Sequence, residues 1–558
     1  MAPPLHLRWL GTVPYSEALD LQHALRERAA ADWLLLLEHP HVYTLGVRAD
    51  LAHIRRPPHE VGADLVRSDR GGDVTYHGPG QLVGYPILTV PGKRGGGMAD
   101  TVAHVTMVEQ VVIDTLTAVG LADVGRLADY PGVWVAPDSA NPRKIAAIGV
   151  RLDRGRSMHG FALNVDPDMT MFEHIVPCGI TDFGVTSIAA EGIDVAMATV
   201  VDAAFAAAAS RWGDARPLRT EARVVSFEPG AVEVVPIPGV SRHRATRLAQ
   251  AQVSEGLRIS QRKPAWLRAP LTGSEAVLGV QRTVRDLGLV TVCEEAGCPN
   301  ISECWSDGTA TFMLNGDRCT RACGFCLVDT QHPLPIDPLE PSRVAEAVER
   351  MGLSFAVLTA VARDDLEDGG ASGFVGAIEA IRARTPHVQV EVLIPDCKGR
   401  SEALQTIFDV RPEVLNHNLE TVARLQRAVR PQAGYARSLA LLARAKTAGL
   451  TVKSGLIVGM GERVDEVRGA LADLAGVGVD IVTIGQYLRP TARHIPVARW
   501  WEPAEFEELR RFGEDDLGIG HVEASPLTRS SYHAKQAAAG TVPEVPVAPV
   551  AVAIGRSR

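Results

Sequence analysis

From residue 311 onward, short apolar runs alternate with amphipathic stretches. The runs are Thr311–Leu314, Phe355–Val361, Val388–Ile394, Val414–Leu415, Thr451–Val458, Asp480–Tyr487 and His521–Ala524. Each is too short for a buried helix and rich in β-branched residues, so each reads as a strand. Between them, apolar positions at helical spacing predict helices over Val344–Arg350, Gly373–Arg384, Ala436–Ala448 and Val464–Ala475. Strands alternating with helices predict a parallel sheet, here curved into a partial β/α barrel. Chemistry then belongs in loops after the carboxyl ends of the strands. Gly369, Gly370, Gly459 and Gly461 follow such strands, as ordinary turns or as loops open to a nucleotide-like ligand.

Length changes the picture: 558 residues with 46% hydrophobic content imply more than one core. The expected domains are 1–220, a linker over 221–256, and 257–540 with a barrel core over about 305–525. Prolines 217, 229, 236 and 238 mark the linker region, and its basic stretch Arg242–Arg247 reads as a solvated face. With a net charge of −9, that stretch is too small to suggest nucleic acid. The tail 541–558, rich in Ala, Pro and Val, is expected to be disordered. No apolar run approaches the roughly 18–20 residues of a membrane span, and the start Met-Ala-Pro-Pro-Leu-His-Leu-Arg has no apolar signal region. A cytoplasmic protein without membrane contact is expected.

The cysteines add chemistry. Cys319, Cys323 and Cys326 stand in a C-x3-C-x2-C run just after the first barrel strand. Three thiolates so spaced can hold three irons of a [4Fe–4S] cluster and leave the fourth iron open for reaction. The alternative is a zinc knuckle with a distant fourth ligand, although zinc sites favour two C-x2-C-type pairs. Cys293, Cys298 and Cys304 form a second triplet, C-x4-C-x5-C. Disulfide pairing fits a chain of this size poorly. Two iron–sulfur clusters are expected.

These triplets, with Lys263–Pro270, Arg363–Ala371, Asn416–Thr421, Lys453–Glu462 and Arg529–Ala534, resemble the lipoyl synthase family of radical S-adenosylmethionine (SAM) enzymes over about residues 240–540. The resemblance implies a partial (βα)6 radical SAM barrel. It implies that Cys319, Cys323 and Cys326 hold a [4Fe–4S] cluster whose open iron binds SAM, splitting it to methionine and a 5′-deoxyadenosyl radical. That radical removes hydrogen from an unactivated C–H bond, chemistry that the cofactor supplies. The resemblance gives the second [4Fe–4S] cluster to Cys293, Cys298, Cys304 and Ser531, and makes it the donor of sulfur to carbons 6 and 8 of an octanoyl chain. The adjacent Ser530 is hard to separate from Ser531 by sequence, and a serine pair is otherwise read as a cap or turn. Ser525 replaces the family's usual glycine before Pro526.

The first 220 residues differ. They hold one cysteine, Cys178, in Ile-Val-Pro-Cys-Gly-Ile, and two of the chain's seven lysines, Lys93 and Lys144. Alone, such a thiol is more often a small buried apolar residue than a nucleophile. The stretch Arg70–Gln81 carries five glycines and prolines and reads as a constrained loop letting backbone approach a ligand. With Glu38–Gly46, Gly160–Val165 and the Pro-Cys-Gly turn, it resembles octanoyl–carrier-protein transferases over about residues 5–215, of the lipoate/biotin protein ligase-like α/β fold. The resemblance implies that Lys144 activates Cys178, which takes octanoyl from octanoyl–acyl carrier protein as a thioester and passes it to a lysine of a lipoyl domain. Substrate would lie against Arg70, Gly71, Gly72, Asp73, Val74, Thr75, Tyr76, His77, Ala147, Ile148, Gly149, Gly160, Phe161 and Ala162. His39, His41 and His159 are candidates for structural or direct roles. One departure stands out: the helix over Ala103–Glu109 lacks an arginine usual in the family.

The expectation is thus an α/β chain of two domains that octanoylates lipoyl domains and then inserts two sulfurs. The expected partners are octanoyl–acyl carrier protein, lipoyl domains of 2-oxoacid dehydrogenase complexes or the glycine-cleavage H protein, and an electron donor such as ferredoxin or flavodoxin. The alternative is a synthase with a non-catalytic N-terminal docking module.

Overall fold

The computed structural model describes residues 4–92, 99–213, 237–253, 256–257, 262–268, 275–295, 298, 300–306 and 310–541. The N-terminal strands are β1 (Leu5–Thr12), β2 (Asp32–Glu38), β3 (Val42–Leu45), β4 (Asp64–Arg67), β5 (Val74–His77), β6 (Gln81–Ile87), β7 (Val124–Leu127), β8 (Tyr130–Val135), β9 (Arg143–Asp153), β10 (Arg156–Asn164) and β11 (Gly184–Val185). Eight form a sheet in the order β1-β2-β6-β10-β9-β8-β7, with β11 beside β9; β3 lies between β4 and β5 in a smaller sheet. Strand alternation sorts β2 between two layers. Leu34 and Leu36 pack with Val108, Val112, Ala204 and Ala208 of helices Thr101–Ala118 and Met197–Trp212. Trp33, Leu35 and Leu37 face the other way, toward Ala18, Leu21 and Leu25 of helix Tyr15–Arg28.

The C-terminal strands are β12 (Thr311–Leu314), β13 (Phe355–Ala360), β14 (Gln389–Leu393), β15 (Val414–Asn416), β16 (Val452–Val458), β17 (Ile481–Gln486) and β18 (His521–Ala524). All seven pair in chain order and in parallel. The expected strands recur within a residue or two, and β18 adds a seventh to the six-unit barrel. Helices Glu340–Arg350, Ala371–Arg384, Tyr435–Thr447 and Val464–Gly476 fall where the periodicity put them; Ser401–Asp409 and Pro503–Arg511 are additional.

One apolar core runs through both halves. Leu21, Leu25 and Trp33 share a cluster with Leu439, Ala470, Leu471 and Leu474. A Cβ on Gly476 would stand 2.9 Å from both Leu25 Cδ2 and Trp33 Cζ2, so the glycine permits the close approach. Arg8 Nε donates to Asp473 Oδ1 at 2.7 Å, both side chains being at most 5% exposed. Within the stretch expected as a linker, residues 242–250 instead form a helix whose Leu248, with Ala251 and Val253 after it, enters this core. Arg244 Nη1 donates to Arg493 O, so the basic stretch is a docked face as well as a solvated one. Residues 542–558, and prolines 217, 229 and 236, lie outside the described residues.

Candidate active sites

In the N-terminal half, a cavity of about 520 Å³ lies over β9 and β10. Arg70, Gly71, Gly72, Asp73, Thr75, His77, Lys144, Ala147, Ile148, Gly149, Gly160, Phe161, Ala162 and Cys178 all line it. Val74 and Tyr76 do not. The stretch read as one constrained loop contains strand β5, so alternate side chains point away, and these two pack with Tyr43 and Phe172. The loop proper is Arg70–Asp73. It owes its course to glycine: a Cβ on Gly46 would fall 2.3 Å from Gly72 O and 2.8 Å from Arg70 Nη1. Arg70, 7% exposed, donates from Nε and Nη2 to Thr44 Oγ1 and from Nη2 to Thr44 O.

Cys178 occupies a turn with φ 57° and ψ 16°, a left-handed conformation rare outside glycine. The turn is keyed to the loop. Val176 N–H donates to His53 O at 2.8 Å, His53 Nδ1 meets Asp73 Oδ2 at 2.5 Å, and Gly179 (φ 69°) leaves room for Asp73, whose Oδ2 would be 2.8 Å from a Cβ there. Lys144, 6% exposed, rises from β9 with Nζ 5.0 Å from the centre of the Trp134 ring, an apolar wall that keeps the ammonium from solvent. Cys178 is close enough to Arg70 to act on its guanidinium electrostatically.

The histidines are bound structurally. His39, fully buried, bridges Val13 O (2.6 Å) and Tyr85 OH (2.7 Å), and burial lowers it to about 4. His41 Nδ1 meets Tyr76 OH, and His159 Nε2 meets Asp69 Oδ1 at 2.7 Å while lining the cavity. Tyr15, Arg48, Tyr85, Asp129 and Tyr130 line it too and carried no sequence signal; Asp129 takes a positive φ of 67° just before Tyr-Pro-Gly. In the helix lacking the usual arginine, Glu109 instead binds Arg126 and the Gly132 N–H.

In the C-terminal half, Cys319, Cys323 and Cys326 follow β12. Burial raises Cys323 and pushes Cys326 to about 12, and the thiols act on one another electrostatically. Their loop is pinned from several strands. Arg321 bridges Asp364 (2.8 Å, twice) and Asp396 (2.5 Å) after β13 and β14; Gly324 N–H donates to Val429 O; His494 Nε2 meets Cys326 O at 2.9 Å. Cys293 is buried and pushed to about 11 by that burial. Arg529 lies near Cys298, and Tyr532 near Cys304, with its hydroxyl donating to Glu303 Oε1 at 3.1 Å. The two serines separate here. The Ser530 hydroxyl accepts from Asn418 Nδ2 at 2.5 Å. The Ser531 carbonyl caps Ala534 N–H.

Residues 14–209 match the family model of the lipoyl protein ligase A/B catalytic domain, and residues 315–475 that of the radical SAM superfamily. Over 276 residues the chain is 52% identical to lipoyl synthase of Rubrobacter xylanophilus, covering 49% of this chain and 86% of that protein. Over 288 residues it is 51% identical to lipoyl synthase of Mycolicibacterium paratuberculosis, covering 52% and 94%. The chain belongs to the lipoyl synthase family. The chain carries a lipoyl protein ligase A/B catalytic domain toward its N-terminus and is a fused lipoate-biosynthesis enzyme, with lipoyl-transferase and radical SAM sulfur-insertion activities that call on SAM and iron–sulfur chemistry. Among solved structures, it is similar to a bipartite lipoate protein ligase of Thermoplasma acidophilum (TM-score 0.31, 19% identity, 38% of this chain and 84% of that one). It is similar also to a methylornithine synthase (TM-score 0.31, 14% identity, 44% and 70%).

The donor set fits iron–sulfur clusters. Among the described residues no three His, Cys, Asp or Glu side chains converge as ligands of a single ion would. A cluster does not require that convergence, because each thiolate bonds its own iron. No described helix is long and apolar enough to cross a membrane.

Proposed function

We propose that the N-terminal half forms a Cys178 thioester with octanoyl delivered by acyl carrier protein, and that Lys144 activates the thiol. A free thiol is only a few per cent thiolate at neutral pH, and a nearby ammonium raises that fraction. The thiolate attacks the incoming thioester carbonyl, and the carrier's thiol leaves with a proton. A lysine amine of a lipoyl domain then attacks Cys178's thioester, forming an amide and returning the thiol. Arg70–Asp73, Thr75 and His77 with Ala147–Gly149 and Gly160–Ala162 line the acyl site and offer backbone N–H donors to the developing oxyanion. What supports this reading is one observation: Cys178, Lys144 and the glycine-rich loop line a single cavity.

In the same proposal, Cys319, Cys323 and Cys326 hold the SAM-binding [4Fe–4S] cluster, and Cys293, Cys298, Cys304 and Ser531 hold a second. When bound, the first supplies the electron that splits SAM for removal of hydrogen at carbons 6 and 8. Arg321 fixes the loop that carries those thiols. A serine oxygen binds iron more weakly than a thiolate, which suits a cluster that surrenders sulfur. The lipoyl domains belong to 2-oxoacid dehydrogenase complexes or the glycine-cleavage H protein, and the electron comes from a donor such as ferredoxin or flavodoxin.

The test is Cys178→Ser in the full chain. Octanoyl transfer vanishes while sulfur insertion into a pre-octanoylated lipoyl domain continues; retained transfer removes the thioester. Anaerobic reconstitution should give about eight irons and eight sulfides per chain for two cubanes. Fusion raises the local concentration of the octanoylated intermediate. Equal use of free and newly made octanoyl-lipoyl domain in a competition assay would remove that advantage.

A further inference from the structure

Asn418 stands just beyond β15, 8% exposed. Its backbone carbonyl accepts from Arg430 Nη1 at 3.0 Å. Its side-chain amide spans two partners: Nδ2 donates to Glu420 Oε1 at 3.1 Å and to Ser530 Oγ at 2.5 Å, 112 residues away. Glu420 is close enough to Cys323 and Cys326 to act on both thiols. Ser530 precedes Ser531 in the segment that meets Cys298 through Arg529 and Cys304 through Tyr532. The amide has no slack on its other side: a Cβ on Gly455 would sit 2.8 Å from Asn418 Oδ1 and 2.7 Å from Thr483 Oγ1, so glycine there makes the room that Asn418 uses.

We infer that Asn418 is a positioning residue. By taking the Ser530 hydroxyl it anchors the Arg529–Tyr532 segment to the barrel and leaves Ser531, not Ser530, free to face the second triplet. This rests on the assignment of the second cluster proposed above. The anchor acts on the cluster one step further out, through the backbone that joins Ser530 to Ser531; losing a direct hydrogen-bonding partner of a metal ligand costs about 10–100-fold in metal affinity, and the lower end of that range is expected here.

The test uses the full chain in a background where Cys319, Cys323 and Cys326 are all alanine, so that any reconstituted cluster is the second. Iron release to a chelator is followed in that background and in Asn418→Ala, Ser530→Ala and the double variant. Each single variant releases iron about tenfold faster, and the double variant no faster than Asn418→Ala, because the same Asn418–Ser530 bond is lost in all three. Octanoyl transfer by the N-terminal half reports that each chain is folded, and Ser530→Ala removes the same bond without touching the buried asparagine. Unchanged release rates, or rates that multiply in the double variant, overturn the inference. If the background itself holds no iron, it is the second-cluster assignment that fails.

Discussion

Arg8→Leu tests whether the two halves form one structural unit. Arg8 is on β1 of the transferase half and Asp473 on helix Val464–Gly476 of the synthase half. The guanidinium also donates to Leu7 O and Gly469 O and lies 5.3 Å from the Trp33 ring centre. Asp473 Oδ2 accepts from Tyr435 OH at 2.8 Å. Removing Arg8 leaves a buried carboxylate with that hydroxyl as its one remaining donor among these. Breaking a buried pair from one side costs about 3–5 kcal/mol. Asp473 has an escape: burial already pushes its carboxyl above the usual range, and without Arg8 it takes up a proton. The deficit is therefore largest at pH 8 and smaller at pH 5. Replacing both partners by leucine removes the stranded charge and leaves only Tyr435 OH without an acceptor, at about 1–3 kcal/mol. The double variant should be the more stable of the two. Urea unfolding of the apo chain, read by tryptophan fluorescence at both pH values, gives the midpoints. A wild-type midpoint in Arg8→Leu, or a double variant less stable than the single one, would refute the coupling.

Three further outcomes are expected. His39 and His417 are both held at about 4 by burial, below the ordinary 6.5, so the unfolded chain gains protons first as pH falls. Stability is complete above about pH 6.5 and declines toward pH 4 by about 3 kcal/mol per histidine, and His39→Gln should flatten that slope in urea titrations. Gly46→Ala must displace Gly72 or Arg70, so octanoyl transfer should fall by about 100-fold while sulfur insertion into a pre-octanoylated domain holds, as separate turnover assays would show. Arg321→Lys cannot reproduce the paired bonds to Asp364 and Asp396, so the first triplet should lose iron on desalting and its spectral response to SAM should shrink; full retention would argue against the clamp.

The barrel was legible because parallel strands buried on both faces read as unbroken apolar runs, as in Val452–Val458. The radical SAM assignment was legible where residue types are few and spacing short, as in the C-x3-C-x2-C run. That the side chains of Val74 and Tyr76 turn away from the cavity was not legible, because a glycine-rich stretch hid a four-residue strand, and a strand turns every second side chain away. The helix Arg242–Gln250 was hidden by its own polarity: only Ala245 and Leu248 are buried in it, too few to set a period. Arg8 and Asp473 are 465 residues apart, and no local pattern joins them.

The Cys178 turn shows what kind of information a linear pattern lacks. Pro177 and Gly179 announce a turn, but not that the residue between them is held at φ 57°. A side chain in that region costs roughly 1–2 kcal/mol over the extended or right-handed alternatives. The turn relaxes unless its surroundings hold it. Here they do, from both ends: Val176 is tied to His53, and Gly179 is seated on Asp73, itself bound by His53 and by the N–H groups of Asp50 and Val74. The strain thus resides on the residue proposed above as the nucleophile, and its counterweight is in the loop that lines the same cavity. Loop and Cys178 turn are one mechanical piece, so on the proposed thioester mechanism a methyl group on Gly46, remote from Cys178 in sequence, is expected to disable the transfer step.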